Sequence, residues 1–242
     1  MPPNPLQLLI EASVADPSRE PEFLAELLEA PLFVHLPLVD DSGRIRLVQF
    51  TRPDGLSVIP VFSDFDRANK AAQGNVRVAT VPGRDLLTAS RGATLMLDPN
   101  DTSCTLYPEE IAALLDDGIA LPAPVKASSG HAELGPADAS YAWLGDLAVA
   151  AVEPIDPVSA VWLARRVDVP SGAPPTMVVI LSVPPAHEER AIRALGLAFS
   201  ARLRDTGLTV DATTVDPQDE QPCPTDIGIQ PHWSRTHRGK GH

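Results

Sequence analysis

The chain has 242 residues, 44% of them hydrophobic and 5% aromatic, and a formal net charge of −13. That apolar content suffices for real cores built mostly of Leu, Val, Ala and Ile, which excludes global disorder. The acidic balance repels phosphate backbones and anionic lipid, so neither nucleic acid nor a membrane surface is an expected partner, and no run of ~18 apolar residues offers a membrane span.

In chain order, residues 5–15 (PLQLLIEASVA) place Leu6, Leu9, Ile10 and Val14 on one helical stripe, interrupted by Ser13. Asp16-Pro17 is a cap and first-turn pair, and EFLAELLEA then puts Phe23, Leu24, Leu27 and Leu28 on one face before Pro31 ends the helix. LFVHLPLV (32–39) reads as a buried strand, DDSG (40–43) as a turn and RIRLVQF (44–50) as an alternating strand, which together predict a hairpin. SVIPVF (57–62) is the next strand, and Ser63 or Asp64 caps a short helix after it. VRVATV (76–81) is a strand, Pro82-Gly83 a turn, RDLLTA a short helix and ATLML (93–97) a further strand. A polar loop, DPNDTS (98–103), leads to the short strand CTLYP. PEEIAALLDDG (108–118) is a helix with Pro at its start, acid in its first turn and Gly past its end.

ALPAPVKASSGHAELGPADAS (120–140) has the Pro/Ala/Ser/Gly composition of a linker. Beyond it, DLAVAAV (146–152) fits a helix or a strand, VSAVWLARRVDV (158–169) a strand ending in the turn PSGAPP, and TMVVILSVP (176–184) a strand. The stretch 187–207 is helical, with Ile192, Leu195, Phe199 and Leu203 three or four apart and Gly207 as its stop, and LTVDATTV (208–215) is a closing strand. The fold expectation is α+β: two small mixed sheet-and-helix domains, 1–119 and 141–216, joined by the linker 120–140. Residues 217–242 are expected to be an irregular, loosely attached tail.

Candidate chemistry is sparse, with no phosphate loop, nucleophile–base pair or metal cluster, so no cofactor or catalytic residue is expected. Cys104 and Cys223 are far apart, form no CxxC, and point to a reducing compartment. The N-terminal stretch lacks the pattern of a signal peptide, so the expected location is cytoplasmic. Asp64 and Asp66 form a D-x-D, but helix capping accounts for both. DPNDTSCTLYPE (98–109) partly matches a calcium loop, with Ser103 where the sharp turn needs Gly. HEERA lacks the second His of a zinc helix. Cys104 would need His35 or His131 as a base and reads better as a core thiol. His232, His237 and His242, with Arg235, Arg238 and Lys240, make a basic tail expected to be solvated. The most suggestive site is Gly83, Arg84 and Asp85. There a strand, a turn and a helix start would present backbone N–H groups and one guanidinium to an anion or partner, although Asp85 can satisfy the same donors from within.

In this order and spacing, EFLAELLEAPLFVHLPL, SVIPVFSDFDRANKAA, VPGRDLLTAS with ATLMLDPN, and YPEEIAALL resemble the SseB family, the "enhanced serine sensitivity" proteins of bacteria. In the second half, VSAVWLARR, TMVVILSV and the ERAIRALG helix look like that family's C-terminal domain. The resemblance implies a two-domain α+β cytoplasmic protein whose biochemical activity is not established, and it supplies no catalytic residues to carry over. The functional expectation is a non-catalytic binding or adaptor protein with an unidentified protein partner or small anionic ligand. The alternative is an enzyme that acts on a small anionic metabolite through Arg84, and self-association through an edge strand is a third expectation.

Overall fold

A computed structural model describes residues 4–39, 46–72, 74, 76–101, 104–116, 118, 133–166, 176–203, 206–219 and 223–235. The turn at 40–43, most of the 120–140 stretch, His131, His237 and His242 lie outside the described residues. The chain divides into two compact units, Met1–Ala123 and Pro124–His242. Each carries its own sheet and helices, an α+β arrangement in both.

The first unit opens with helices α1 (Pro5–Ala15) and α2 (Glu20–Glu29). Asn4 caps α1 by accepting the Leu6 N–H at 3.1 Å, and its side-chain amide donates to the Ser63 carbonyl at 2.6 Å. One residue therefore both starts the first helix and pins it to the sheet, compensating for a stripe that only Leu6 and Ile10 bury fully. The sheet contains β1 (Pro31–Pro37), β2 (Phe50–Thr51), β3 (Ser57–Phe62), β4 (Val76–Pro82), β5 (Leu95–Leu97) and β6 (Cys104–Leu106). Its order is β4-β1-β3-β5-β6, with β2 beside β3; β3 and β5 are parallel and the other pairs antiparallel. Helices α3 (Phe65–Ala71), α4 (Gly83–Ala89) and α5 (Pro108–Asp116) complete the unit.

Among the described residues, the expected hairpin of 32–39 with 44–50 gives way to other pairings. β1 pairs with β4 along all seven of its residues and with β3 on its other side, while Val48 donates its N–H to the His35 carbonyl at 2.9 Å and Phe50–Thr51 joins β3. The reason is burial on both faces. Leu32 and Val34 are fully buried on one face, and His35 on the other packs its ring 4.8 Å from that of Phe62. A strand apolar on both sides belongs in the middle of a sheet, between partners that are themselves covered. Pro82-Gly83 also departs from expectation, since β4 runs through Pro82 and α4 begins at Gly83 with no separate turn.

In the second unit, α6 (Ala142–Val152) resolves the ambiguous 146–152 stretch as helix, because Leu144, Ala148 and Val152 recur every fourth residue and are fully buried. The strands are β7 (Leu134–Pro136), β8 (Ala160–Arg166), β9 (Thr176–Ser182), β10 (Thr209–Val215) and β11 (Pro231–Ser234), in the order β10-β9-β8-β11. β8 and β9 form the expected antiparallel pair, and helix α7 (Pro185–Leu203) returns the chain so that β10 lies parallel to β9. One core joins Val161, Val179 and Leu181 to Leu144 and Ala148 of α6 and Ala191 and Leu195 of α7.

Two expectations fail here for one physical reason. Trp162, Ala164, Val178 and Ile180 form a second apolar face, which the core with α6 and α7 leaves to be covered by something else. The supposed tail covers it. Ile229 is 1% exposed in that cluster, and Thr225 Oγ accepts the Trp162 indole N–H at 3.2 Å. β11 then pairs with one end of β8, and β7, from the end of the supposed linker, pairs with the other. The Arg235 guanidinium donates to the Val158 carbonyl at 2.9 Å and the Glu153 carbonyl at 2.7 Å, tying the segment to the end of α6. The described stretch 223–235 of the supposed tail thus packs onto this core. Ile229→Ala should destabilise this unit by about 2–4 kcal/mol in urea denaturation, the usual cost of emptying a buried aliphatic site. A cost under about 0.5 kcal/mol would show that the segment contributes nothing to the core.

Candidate functional site

Because β3 and β5 run parallel and adjacent, their carboxyl ends open side by side. Ser63 and Asp64 leave one strand, and Asp98 leaves the other. Asp98 is 3% exposed and holds a left-handed backbone, φ 47°, which non-glycine residues adopt at a cost but Asp tolerates better than most. Its hydrogen bonds offset that cost. Its N–H donates to the Val61 carbonyl at 2.8 Å, Oδ1 accepts the Ser63 N–H at 3.0 Å, and Oδ2 accepts the Ser63 hydroxyl at 2.6 Å.

Asp64 caps α3 by accepting the Arg67 N–H at 2.8 Å. The same carboxylate takes Arg67 Nε at 2.9 Å, while Nη1 lies 3.2 Å from Asp98 Oδ2 and Nη2 2.9 Å from Asp101 Oδ2. One guanidinium is therefore shared by three carboxylates from the helix cap, the end of β5 and the loop after it. Its side chain is 24% exposed, that of Asp98 2% and that of Asp101 53%, so the clamp grades from interior to solvent. Beside it lies a cleft of ≈ 290 Å³, with Phe62 and Ala71 as apolar wall and Arg67, Lys70, Asp98, Asn100 and Asp101 as polar wall. The spacing of Arg67, Lys70 and Ala71 on α3 puts all three on one helical face. Beneath α3, His35 Nε2 lies 2.8 Å from the Ala68 carbonyl, so this histidine packs the helix onto the sheet.

The two sequence patterns weighed as metal sites meet at this cluster through the Arg67 guanidinium. Asp64 caps as expected and also holds Arg67, whereas Asp66 is exposed in the first turn of α3 and takes no part. Asp98 and Asp101, two of the three acids of the calcium-like loop, turn to Ser63 and Arg67. Among the described residues, no group of three His, Cys, Asp or Glu is placed to hold a metal ion. Sequence reasoning missed Arg67. The available signal was the register of 57–62 against 93–97: a parallel pairing brings S-D and D-P-N-D together, with Arg67 one turn into the helix between them.

Gly83, Arg84 and Asp85 lie apart from the cleft lining. Gly83 is buried against α2, where an added Cβ would collide with the Leu27 carbonyl oxygen, and its N–H donates to the Ala30 carbonyl at 2.9 Å. Its amide is thus engaged inside the fold. Arg84 is 53% exposed, with Glu29 the nearest carboxylate at 3.9 Å, and Asp85 is exposed in the first turn of α4. Cys104 and Cys223 are both free and half-buried. His187 is half-buried in the first turn of α7. His232, expected in a solvated tail, instead sets its ring against Gly145, with Nε2 2.8 Å from Asp146 Oδ1.

Residues 6–113 match the family model described as the SseB protein N-terminal domain. The chain is similar to the protein named Protein SseB from Escherichia coli strain K12, at 29% identity over 121 residues, covering 47% of this chain and 46% of that relative. It is similar to Protein SseB from Shigella flexneri to the same extent. The chain thus spans about half the length of the curated relatives it matches. No solved structure matches.

Two pairs of substitutions check the geometry. Asp98→Ala strands the buried Ser63 donors and one arm of Arg67, and should cost about 3–5 kcal/mol in chemical denaturation, against about 0–1 for the exposed Asp101→Ala. Equal costs would mean that the interior arm of the clamp is not the one that holds the loop. Gly83→Ala should destabilise the first unit by at least ~1–3 kcal/mol through the clash with Leu27. Arg84→Ala should stay within about 0.5 kcal/mol of the parent, and the reverse ranking would make Arg84 the structural residue.

Proposed function

Because residues 6–113 make this chain a member of the SseB family, we propose that it is a non-catalytic binding protein and that it meets its partner at the cleft between α3 and residues 98–101. The observation that carries the reading is the fixed guanidinium of Arg67, held by three carboxylates at the wall of that cleft. A guanidinium does not surrender its proton near neutral pH, and both oxygens of Asp98 already accept hydrogen bonds from Ser63. Such a cluster presents charge in a rigid geometry, which suits recognition better than the proton transfers of acid–base catalysis. The proposal takes the second unit as the family's C-terminal domain and the cytoplasm as the compartment, a reading supported by two free thiols. The second reading, an enzyme on a small anionic metabolite, is favoured by the half-exposed Arg84, whose nearest carboxylate is 3.9 Å away.

A photoreactive amino acid placed at Asn100 should cross-link a discrete partner in bacterial lysate, and Lys70→Glu should suppress the adduct. Adduct that persists unchanged in Lys70→Glu, or that forms equally from a probe at the exposed Thr88, would remove the cleft from the reading. Capture that depends on Arg84 and not on Lys70 would favour the alternative.

A further inference from the structure

Three features of the cleft converge on the chemistry of what fills it. Arg67 meets Asp64, Asp98 and Asp101 as ion pairs at 2.9, 3.2 and 2.9 Å, and its side chain, 24% exposed, lines the cleft. Lys70, one turn further along α3 and exposed on the same wall, makes no hydrogen bond or ion pair with any described residue. Asp101 differs from the other two acids of the clamp. Asp64 is fixed as a helix cap and Asp98 by Ser63, whereas the Asp101 side chain is 53% exposed and meets the cluster at Arg67 Nη2, its backbone N–H being held by the Asp98 carbonyl at 3.0 Å.

From this we infer that the cleft receives a carboxylate, and that Asp101 occupies Arg67 in its absence as a built-in stand-in. The inference rests on the binding reading above and adds to it the ligand class and a competing internal group. An incoming carboxylate takes the arm of Arg67 that Asp101 releases and reaches Lys70, while its carbon body lies along Phe62 and Ala71. At Arg67 itself one single negative charge takes the place of another, and the displaced Asp101 carboxylate, already half-exposed, turns to solvent. A phosphate dianion would add charge beside Asp64 and Asp98, and a planar carboxylate matches the fork of an arginine better. Because Asp101 is tethered, it competes at a high effective concentration, so the resting affinity for a free carboxylate is low and is set by how readily Asp101 leaves.

The test is a titration of the full chain followed by amide and arginine side-chain NMR at fixed ionic strength. The probes are butyrate and an acetylated Ala-Leu dipeptide with a free carboxyl end, each against its neutral amide. The expected result is that the carboxylates, and not the amides, shift the signals of Arg67 and Asn100. Asp101→Asn should tighten binding on the order of tenfold, the factor one charge-assisted hydrogen bond carries, and Lys70→Gln should weaken it comparably. The tighter of the two probes identifies the source as a small acid or a chain end. Shifts that are equal for the amides, absent in all variants, or no tighter in Asp101→Asn would overturn the inference. If those failures occur while cross-linking from Asn100 still depends on Lys70, the carboxylate falls and the binding reading stands. Carboxylate binding without any cross-linked partner would do the reverse.

Discussion

The first unit depends on the parallel contact between β3 and β5 and on the carboxylate that locks its open end. Parallel neighbours leave their carboxyl ends unjoined, so something other than a tight turn must hold them together. Asp98 does this by giving both oxygens to Ser63 and one of them also to Arg67. A buried carboxylate without such partners would be costly, and with them it becomes a rivet between two strand exits and a helix start. The left-handed backbone of Asp98 fits this role, because it turns the side chain back toward the neighbouring strand.

The cleft follows from the rivet. With Asp98 fixed and Asp64 spent on the α3 cap, Arg67 lies among three carboxylates at the cleft wall. Lys70 and Ala71 then present themselves on the same wall by helical periodicity. Elsewhere in the unit a glycine plays the comparable organising part. Gly83 lets the start of α4 touch the backbone of α2 at Leu27 and Ala30, and this close approach places Arg84 and Asp85 outward, apart from the cleft lining.

The second unit solves a different problem. A sheet apolar on both faces needs two covers, and α6 with α7 supplies one. Chain from both ends of the unit supplies the rest. β7 and β11 share one edge of β8, and Ile229 closes the second face. Arg235 then satisfies carbonyl groups at and just beyond the end of α6, which helices otherwise leave without partners. The basic residues of this segment that look solvated in the sequence are used locally, His232 on Asp146 and Arg235 on backbone carbonyls.

Local rules determined much of this protein from its sequence alone. The helical stripe of Phe23, Leu24, Leu27 and Leu28, the cap at Asp64, the strands at 57–62 and 176–182 and the return helix from Pro185 all follow from periodicity and punctuation, which act over a few residues. Tertiary structure decided what depends on partners distant in the chain. The strand at 32–37 took β3 and β4 as neighbours instead of its nearest hairpin candidate, because burial of both its faces outweighed proximity. The segment 223–235, polar and proline-bearing, reads as a tail until the uncovered face of Trp162, Val178 and Ile180 gives it a place to dock. Arg67 has no local signature beyond its place after a cap. Its meaning comes from Asp98, 31 positions later, brought beside it by a parallel pairing that no short stretch encodes.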